Sequence, residues 1–205
     1  MIKKFLIYCK SDGITNAMRF VGKSFLSPIL KNSETVFYKW DEEHDTTPLS
    51  SIQIQEISIQ NMERLDFPRL KLTAYRKWMD AGSRVFIVLI DNKPVAFTWS
   101  HYGDYLIHGT GTFCLSSNEC WIGPTFVDRH YRGRGLNKAQ IQYQMAHSDA
   151  QVYYTSVNVN NMPSRRSFEH WGFKEIGRTI ERGWFNHTRF LIKGEECFKR
   201  KFIKQ

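Results

Sequence analysis

The alternation of apolar and polar residues predicts a set of strands in the middle of the chain. Apolar runs over residues 84–90 and 95–101, separated by a turn over residues 91–94, predict an antiparallel hairpin. A third run over residues 120–127 predicts a strand that leads into a glycine-rich turn. Residues 152–159 are an unbroken β-branched and aromatic run, which is typical of a strand covered on both faces.

Helical patterns lie between and around these strands. A polar, glutamine-rich pattern predicts a helix over residues 137–147. A second helix is predicted to begin at Asn161, which supplies a capping amide, with Pro163 in its first turn, and to end at Gly172. An earlier helix is predicted over residues 70–80.

The order of these elements predicts the fold class. Two strands joined through a helix form a right-handed crossover and become parallel neighbours, which applies to residues 120–127 and 152–159. Two further strands are predicted over residues 173–179 and 183–192. The sequence therefore predicts a mixed α/β fold, with a mostly antiparallel sheet, a central parallel strand pair and helices on both faces.

The first fifty residues form a separate region in this interpretation. We expect residues 1–50 to be an N-terminal extension, either part of the same sheet or a small βαβ layer, and residues 51–205 to be the main domain. The elements predicted near the N-terminus are a strand over residues 2–9, an amphipathic helix over 16–30, a strand over 35–40, an acidic linker over 41–50 and a bulged strand within 52–59.

Composition narrows the class of protein. With 41% hydrophobic and 15% aromatic residues, the chain can form a real core. Its longest apolar run, residues 85–90, is far too short to span a bilayer, and no cleavage site follows the apolar residues near the N-terminus. The four cysteines show no metal-binding spacing, so we expect reduced thiols in a cytoplasmic protein and no metal site.

Charge is distributed unevenly along the chain. Residues 1–128 carry 14 Lys/Arg and 14 Asp/Glu, whereas residues 129–205 carry 15 and 6, so the whole +9 excess lies in the second part. Such a distribution suits a polyphosphorylated cofactor or a nucleic acid. Because the basic residues are dispersed and not gathered in an arm, apart from a short run near the C-terminus, the pattern favours one anionic ligand over a nucleic-acid groove.

The glycine-rich turn is the feature with the clearest chemistry. Gly133 and Gly135 stand between a predicted strand and a predicted helix, where successive backbone N–H groups can face a phosphate without a Cβ in the way. Arg132 and Arg134 add planar donors suited to phosphate. The local physics predicts an anion site, and the alternative is an ordinary basic turn.

The turn and the second helix together resemble a known family. Arg132-x-x-Gly135-x-Asn137 is similar to the Arg/Gln-x-x-Gly-x-Gly/Ala pattern of the GNAT superfamily of acyl-CoA-dependent N-acetyltransferases. The series from Asn161 to Phe173 is similar to that family's second motif, an asparagine, small residues, an aromatic residue and Gly-Phe. The resemblance covers about residues 52–192, with the strands in the expected order.

The resemblance implies an acetyl-CoA site. The turn would bind the pyrophosphate through backbone N–H groups, and the parallel strands would splay apart. Amides near Phe126 and Val127 would then meet the pantetheine and the thioester oxygen. Asn161 would touch the pantetheine. The implied cofactor-binding residues are Phe126, Val127, Arg132, Gly133, Arg134, Gly135, Leu136, Asn137, Asn161, Ser164 and Phe168.

Two positions depart from the family pattern, and several residues are candidates for the general base. Asn137 replaces a small residue, so its side chain must point away from the pyrophosphate. Phe168 stands where many members have a proton-donating tyrosine, although a thiolate, with a thiol pKa of about 8.5, can leave without such an acid. Glu119 is the best-placed candidate base, and His101 and Asp104 are comparable candidates. The alternative is an exposed strand-end residue for Glu119 and a loop or surface residue for the other two.

The function implied is transfer of an acetyl group from acetyl-CoA to a primary amine of a small molecule, by direct transfer in a ternary complex. The basic charge and the similarity to bacterial members favour an amino sugar or a nucleotide-linked amino sugar. The alternatives are a non-catalytic acyl-CoA-binding or sensing module, and an acetyltransferase acting on a protein or peptide amine. No membrane partner is expected, nucleic acid is disfavoured, and a homodimer stays open.

Overall fold

A computed structural model describes residues 2–15, 17–18, 22, 30–41, 52–107, 111–184 and 187–203. These residues fall into two compact units. The first unit comprises residues 1–24, 45–101 and 122–148, and the second comprises residues 25–44, 102–121 and 149–205. No helix among the described residues is long and apolar enough to cross a membrane.

The first unit is built on an antiparallel sheet. Strand β2 (Gln53–Glu56) pairs with β3 (Arg84–Ile90), and β3 pairs with β4 (Lys93–His101). The two-residue turn Asp91-Asn92 between β3 and β4 lies in the left-handed region. This confirms the predicted hairpin. The elements of this unit are α1 (Ile2–Asp12), β2 (Gln53–Glu56), α2 (Ile59–Arg64), a 3₁₀ turn (Leu70–Leu72), α3 (Tyr75–Asp80), β3 (Arg84–Ile90), β4 (Lys93–His101), a 3₁₀ turn (Arg129–Tyr131) and α4 (Leu136–Ala146).

The second unit has a strand from the N-terminal region at its centre. Strand β1 (Leu30–Trp40) lies between β8 and β9 and is antiparallel to both. The other elements are β5 (Tyr105–Ile107), β6 (Gly111–Phe113), β8 (Val152–Asn158), α5 (Met162–His170), β9 (Lys174–Trp184), β10 (His187–Gly194), α6 (Glu196–Arg200) and β11 (Phe202–Ile203). Its core is mainly aromatic, with Phe37, Phe113, Trp121, Tyr154, Phe198 and Phe202 buried together.

Strand β7 (Glu119–Val127) contributes residues to both units. Its first residues pair in parallel with β8, from Glu119 opposite Val152 to Trp121 opposite Tyr154. The parallel strand pair and the mixed, mostly antiparallel sheet predicted from the sequence are confirmed. The pairing residues of β7 belong to the second unit, and residues 122–127 belong to the first.

The prediction of a strand over residues 2–9 is wrong, because this segment is helix α1. Ile2, Phe5, Leu6 and Cys9 recur at the i, i+3, i+4, i+7 spacing of a helix. That period, and not the short apolar run, determines the structure. The predicted helix over residues 16–30 and the linker over 41–50 lie mostly outside the described residues.

Several predicted boundaries change as well. The helix expected over residues 70–80 is a 3₁₀ turn followed by α3, because Thr73 adopts an extended conformation between them. The strand expected within residues 52–59 ends at Glu56, and Ser58 caps α2 through its hydroxyl. Strand β9 runs on to Trp184 instead of ending at residue 179. Helix α6 was not predicted; its Phe198 is buried in the aromatic core.

Candidate functional site

The glycine-rich turn follows the end of β7 in the first unit. The N–H of Asp128 donates to the Val95 carbonyl at 2.8 Å, and the Asp128 carboxylate accepts the N–H of His130 at 2.9 Å. Gly133 and Gly135 then adopt φ values of 78° and 75°, which side chains with a Cβ rarely reach. The turn is therefore fixed at its start by hydrogen bonds and shaped further on by two glycines.

The beginning of α4 can accept an anion. Gly135 is the N-cap and offers no side-chain acceptor to the first N–H groups of the helix. A Cβ placed on Gly133 or Gly135 would meet nothing within 4 Å, so the backbone is open on that side. Leu136, which is 4% exposed, packs with Val88 and anchors the helix start. Free N–H groups on a fixed helix start are suited to phosphate.

The polar side chains around the turn already have partners. The Arg134 guanidinium lies 5.1 Å from the centre of the Tyr131 ring. The Asn137 side-chain oxygen accepts a hydrogen bond from Gln140 at 3.1 Å, so this amide is engaged by the second turn of α4. Arg132 donates through Nε to the Val127 carbonyl at 3.0 Å.

Arg132 also forms an ion pair with helix α1. Its Nη2 lies 2.6 Å from Oδ1 of Asp12, while Nη2 of Arg69 lies 3.8 Å from Oδ2 of the same carboxylate. The Asp12 side chain is 13% exposed and that of Arg132 is 49% exposed. The ion pairs of Asp12 and Arg69 beside the turn were not predicted, because residues 2–9 were interpreted as a strand and Arg69 is distant from the turn in the sequence.

A second polar group of the first unit is buried at the end of β4. Nδ1 of His101 lies 2.8 Å from the Ser83 hydroxyl, and the imidazole is stacked on Trp99 and meets Trp78 edge-on. Burial lowers the pKa of His101 to about 4, against a smaller opposing effect of the Gly123 backbone. His101 is therefore a neutral core residue near neutral pH, and a base of such low pKa is a poor acceptor for an ammonium proton.

Glu119, in the second unit, is closely paired. Its carboxylate accepts from Nζ of Lys201 at 2.5 Å, from the Ser116 N–H at 2.7 Å and from the Tyr154 hydroxyl at 3.0 Å. Burial alone would raise the pKa of Glu119, but these donors, Lys201 foremost, hold it below its ordinary value. A carboxylate stabilised in its charged form is a weak base, so this environment favours a structural role for Glu119. Its assignment as the base stays a prediction.

Helix α5 carries the remaining predicted residues, also in the second unit. The Asn161 side chain caps the helix by accepting the Ser164 N–H at 3.5 Å. Phe168 is 3% exposed and packs edge-on against Phe173 and in a stacked arrangement with Tyr38. In the structure Asn161 and Phe168 therefore have a cap and a core role, and their contact with a cofactor stays a prediction.

Comparison with known proteins gives a match over most of the predicted domain. The model of the Acetyltransferase (GNAT) family matches residues 51–173. The match includes β2 to α5 and the glycine-rich turn, and it leaves out α1 and β1.

One curated relative and two solved structures extend this comparison. The chain is 28% identical over 82 residues to the "Probable spermine N(1)-acetyltransferase" of Bacillus subtilis subsp. natto (strain BEST195), covering 38% of this chain and 51% of that protein. The chain thus spans about half the length of that relative.

Both solved structures are similar in fold only. A functionally unknown conserved protein from Staphylococcus epidermidis ATCC 12228 has a TM-score of 0.54 at 10% identity, covering 90% of this chain and 68% of that one. A GCN5-related N-acetyltransferase from Sphaerobacter thermophilus has a TM-score of 0.51 at 12% identity, covering 90% and 59%.

Proposed function

Because the chain belongs to the GNAT acetyltransferase family, whose co-substrate is acetyl-CoA, we propose that it transfers an acetyl group from acetyl-CoA to a primary amine of a small molecule. The observation that carries the proposal is the open helix start at Gly135. There the first N–H groups of α4 have no side-chain cap, and no atom obstructs the glycine faces. The family match and the local geometry thus support the same ligand at the same turn.

The turn residues would hold the diphosphate of the cofactor. The backbone N–H groups from Gly133 to Asn137 are the donors, and Arg134 adds positive charge beside them. Leu136 keeps the helix start in place because its side chain is buried. The amides of Phe126 and Val127, at the end of β7, would stabilise the thioester oxygen as charge develops on it.

The acyl transfer itself requires little proton chemistry from the chain. Holding the amine against the thioester supplies much of the rate of a direct transfer. Phe168 has no proton to donate, and a thiol of pKa about 8.5 is a good enough leaving group to do without one. Water can accept the ammonium proton, since Glu119 is engaged by Lys201 and His101 has a low pKa.

The Glu119→Gln variant tests the base assignment directly. Glutamine keeps the size of the side chain and an acceptor for Tyr154, but it cannot take a proton at neutral pH. We expect kcat to stay within a factor of about three of wild type, since a catalysing base contributes at least about 100-fold. A folded variant that has lost about 100-fold or more in kcat at unchanged KM would establish Glu119 as the base instead.

The acceptor proposed from the sequence is an amino sugar, in particular one linked to a nucleotide. The net charge of +9 supports it, because a basic protein attracts an anionic acceptor and repels a polycation. The similarity to a protein named for spermine supports a polyamine instead. Parallel assays with UDP-linked amino sugars, free amino sugars and spermine decide between them. The highest kcat/KM at low ionic strength identifies the class.

A panel assay separates an enzyme from a binding module. CoA release from acetyl-CoA is measured with amino sugars, polyamines, amino acids and peptide N-termini, beside acetyl-CoA binding by calorimetry. We expect micromolar to millimolar binding together with turnover on at least one amine. Tight binding without turnover on any amine would establish the non-catalytic module.

A further inference from the structure

The C-terminal end of α1 places a carboxylate beside the glycine-rich turn. Asp12 pairs with Arg132 at 2.6 Å and with Arg69 at 3.8 Å, and its Oδ2 also accepts the Ser11 hydroxyl at 3.0 Å. The Asp12 side chain is largely buried, whereas half of Arg132 faces solvent. The carboxylate of Asp12 is therefore paired with two guanidinium groups, and one of them, that of Arg132, is half exposed to solvent.

The guanidinium group of Arg69 lies close to two aromatic rings. Its guanidinium carbon lies 3.9 Å from the centre of the Tyr8 ring and 5.2 Å from that of Phe126. Cation–π contacts of this kind hold the guanidinium beside the rings while its N–H groups can still donate to an anion. Phe126 is one of the residues predicted to lie at the thioester end of the cofactor site.

A third arginine adds positive charge to this cluster. The Arg129 guanidinium lies against Gly13, so close that a Cβ at residue 13 would be 2.5 Å from its Nη1. Asp128, the nearest acidic residue in the sequence, directs its carboxylate to His130. Among the described residues, the ion pairs of Asp12 thus set one carboxylate against two guanidinium groups, with the Arg129 guanidinium beside the adjoining Gly13.

We propose that Arg69 and Arg132 form a phosphate-binding site in which Asp12 is the resident counter-ion. A phosphate group carries a larger negative charge than a carboxylate and offers more acceptor oxygens to two guanidinium groups, so it can displace Asp12. The proposal deepens the proposed function, because Arg132 belongs to the cofactor turn. The phosphate comes either from the cofactor or from a phosphorylated acceptor.

The Asp12→Asn variant tests the site, because the proposal predicts that it binds phosphate groups more tightly than wild type. Removing the competing charge should make coenzyme A or inorganic phosphate bind about fivefold more tightly in calorimetry, the scale of a partly exposed ion pair. Pantetheine, which has no phosphate, should bind as it does to wild type. Asp80→Asn is the matched control: it makes the same change of net charge at an exposed position of α3, and it should leave phosphate affinity unchanged.

Two arms identify the source of the phosphate. If Asp12→Asn binds coenzyme A more tightly while its KM for glucosamine 6-phosphate is unchanged, the site belongs to the cofactor. A lower KM for glucosamine 6-phosphate but not for glucosamine assigns it to the acceptor. Unchanged or weaker binding of every phosphate probe by a folded Asp12→Asn variant overturns the proposal and makes Asp12 a structural residue.

A second variant keeps the test decisive if Asp12→Asn does not fold. Arg69→Gln in the otherwise wild-type chain should weaken phosphate binding about fivefold, and an unchanged affinity would again overturn the site. The proposed function is judged separately, by CoA release from the wild-type enzyme. A wild type that transfers acetyl groups while Asp12→Asn shows no gain disproves only the anion site.

Discussion

Two carboxylate–cation pairs show how differently the two units use the same interaction. In the first unit, Asp12 meets Arg132 at 2.6 Å, and the arginine side chain is 49% exposed. In the second unit, Glu119 meets Lys201 at 2.5 Å, and the lysine side chain is 22% exposed. The first pair stands at a turn with excess positive charge. The second lies beside an aromatic core and receives a hydroxyl and a backbone N–H as well.

The exposure of the cation, more than the distance, distinguishes the two pairs, because the side chain of Arg132 is 49% exposed and that of Lys201 is 22% exposed. Every donor around Glu119 stabilises its charged form, so separating this pair leaves buried groups without partners. The pair at Asp12 faces solvent on the side of Arg132, and an anion from solvent can replace the carboxylate. Ion pairs of similar length, 2.6 and 2.5 Å, thus have a structural role in the second unit and, as we propose, a role in ligand binding in the first.

The largest effect on stability is expected from removing the ion pair between Glu119 and Lys201. Glu119→Ala should lower the free energy of unfolding by about 3 kcal/mol, because Lys201 and the Tyr154 hydroxyl lose their acceptor in a buried site. Urea denaturation at neutral pH measures it. Glu196→Ala is the control, since that glutamate pairs with Lys199 at 71% side-chain exposure and its loss should leave the urea midpoint unchanged. Equal shifts of the urea midpoint for both variants would show that the Glu119–Lys201 pair contributes no more to stability than an exposed ion pair.

His101, a buried group of the first unit, should also affect stability, and its effect should depend on pH. The pKa of His101 is about 4 in the folded protein against 6.5 for an ordinary histidine, so the unfolded chain binds the proton more readily. The contribution of His101 to stability should therefore fall by about 2–3 kcal/mol as pH drops from 6.5 to 4, and it should stay constant below pH 4.

Unfolding curves at several pH values, for wild type and His101→Asn, isolate this contribution. The stability difference between the two proteins should shrink through the window from pH 6.5 to 4. Glu119 loses its contribution in a lower pH range: its lowered pKa gives stability above the ordinary glutamate pKa of 4.5, and this stability is lost as pH falls below 4.5. Parallel curves for wild type and His101→Asn would contradict the effect of burial on the histidine.

A substitution in the glycine-rich turn should impair acetyl-CoA binding more than it lowers the stability of the fold. Gly135→Ala puts a Cβ on a residue at φ 75°, which costs about 1 kcal/mol, and it distorts the helix start. The KM for acetyl-CoA should rise about tenfold, which corresponds to about 1.4 kcal/mol of binding. Gly82→Ala is the matched control in the same unit, with φ 81° and free space around it. It should destabilise equally and leave KM unchanged.

The smallest effect is expected at the cap of α5. Asn161→Ala should lower stability by about 0.5–1 kcal/mol through loss of the acceptor for the Ser164 N–H. Asn161→Asp restores a capping acceptor, so it should recover the stability. If Asn161 also contacts the pantetheine, the KM for acetyl-CoA stays raised in the aspartate variant. Recovery of both quantities would limit this residue to capping.

Local patterns were enough to predict the elements around the turn. The hairpin of β3 and β4 follows from alternating residues and a two-residue turn, and the β7–turn–α4 arrangement follows from an apolar run and two glycines. These features depend on neighbours in the sequence, where period and backbone sterics dominate.

Distant contacts could not be predicted in this way. Lys201 reaches Glu119 across 82 positions, and the sequence shows only a basic tail there. Asp12 was beyond prediction once residues 2–9 were interpreted as a strand. Phe198 is buried because α6 folds back onto the aromatic core, a tertiary effect that overrides the surrounding charges.

The position of β1 sets a schedule for folding during synthesis. The ribosome releases residues 30–40 before both neighbours of this strand, because β8 begins at Val152 and β9 at Lys174. Until they emerge, Val36, Phe37 and Tyr38, all fully buried in the end, stay without their partners. The nascent second unit therefore exposes an apolar strand to chaperones until residues 152–184 have been synthesised, and pairing at such sequence distances makes its folding slow.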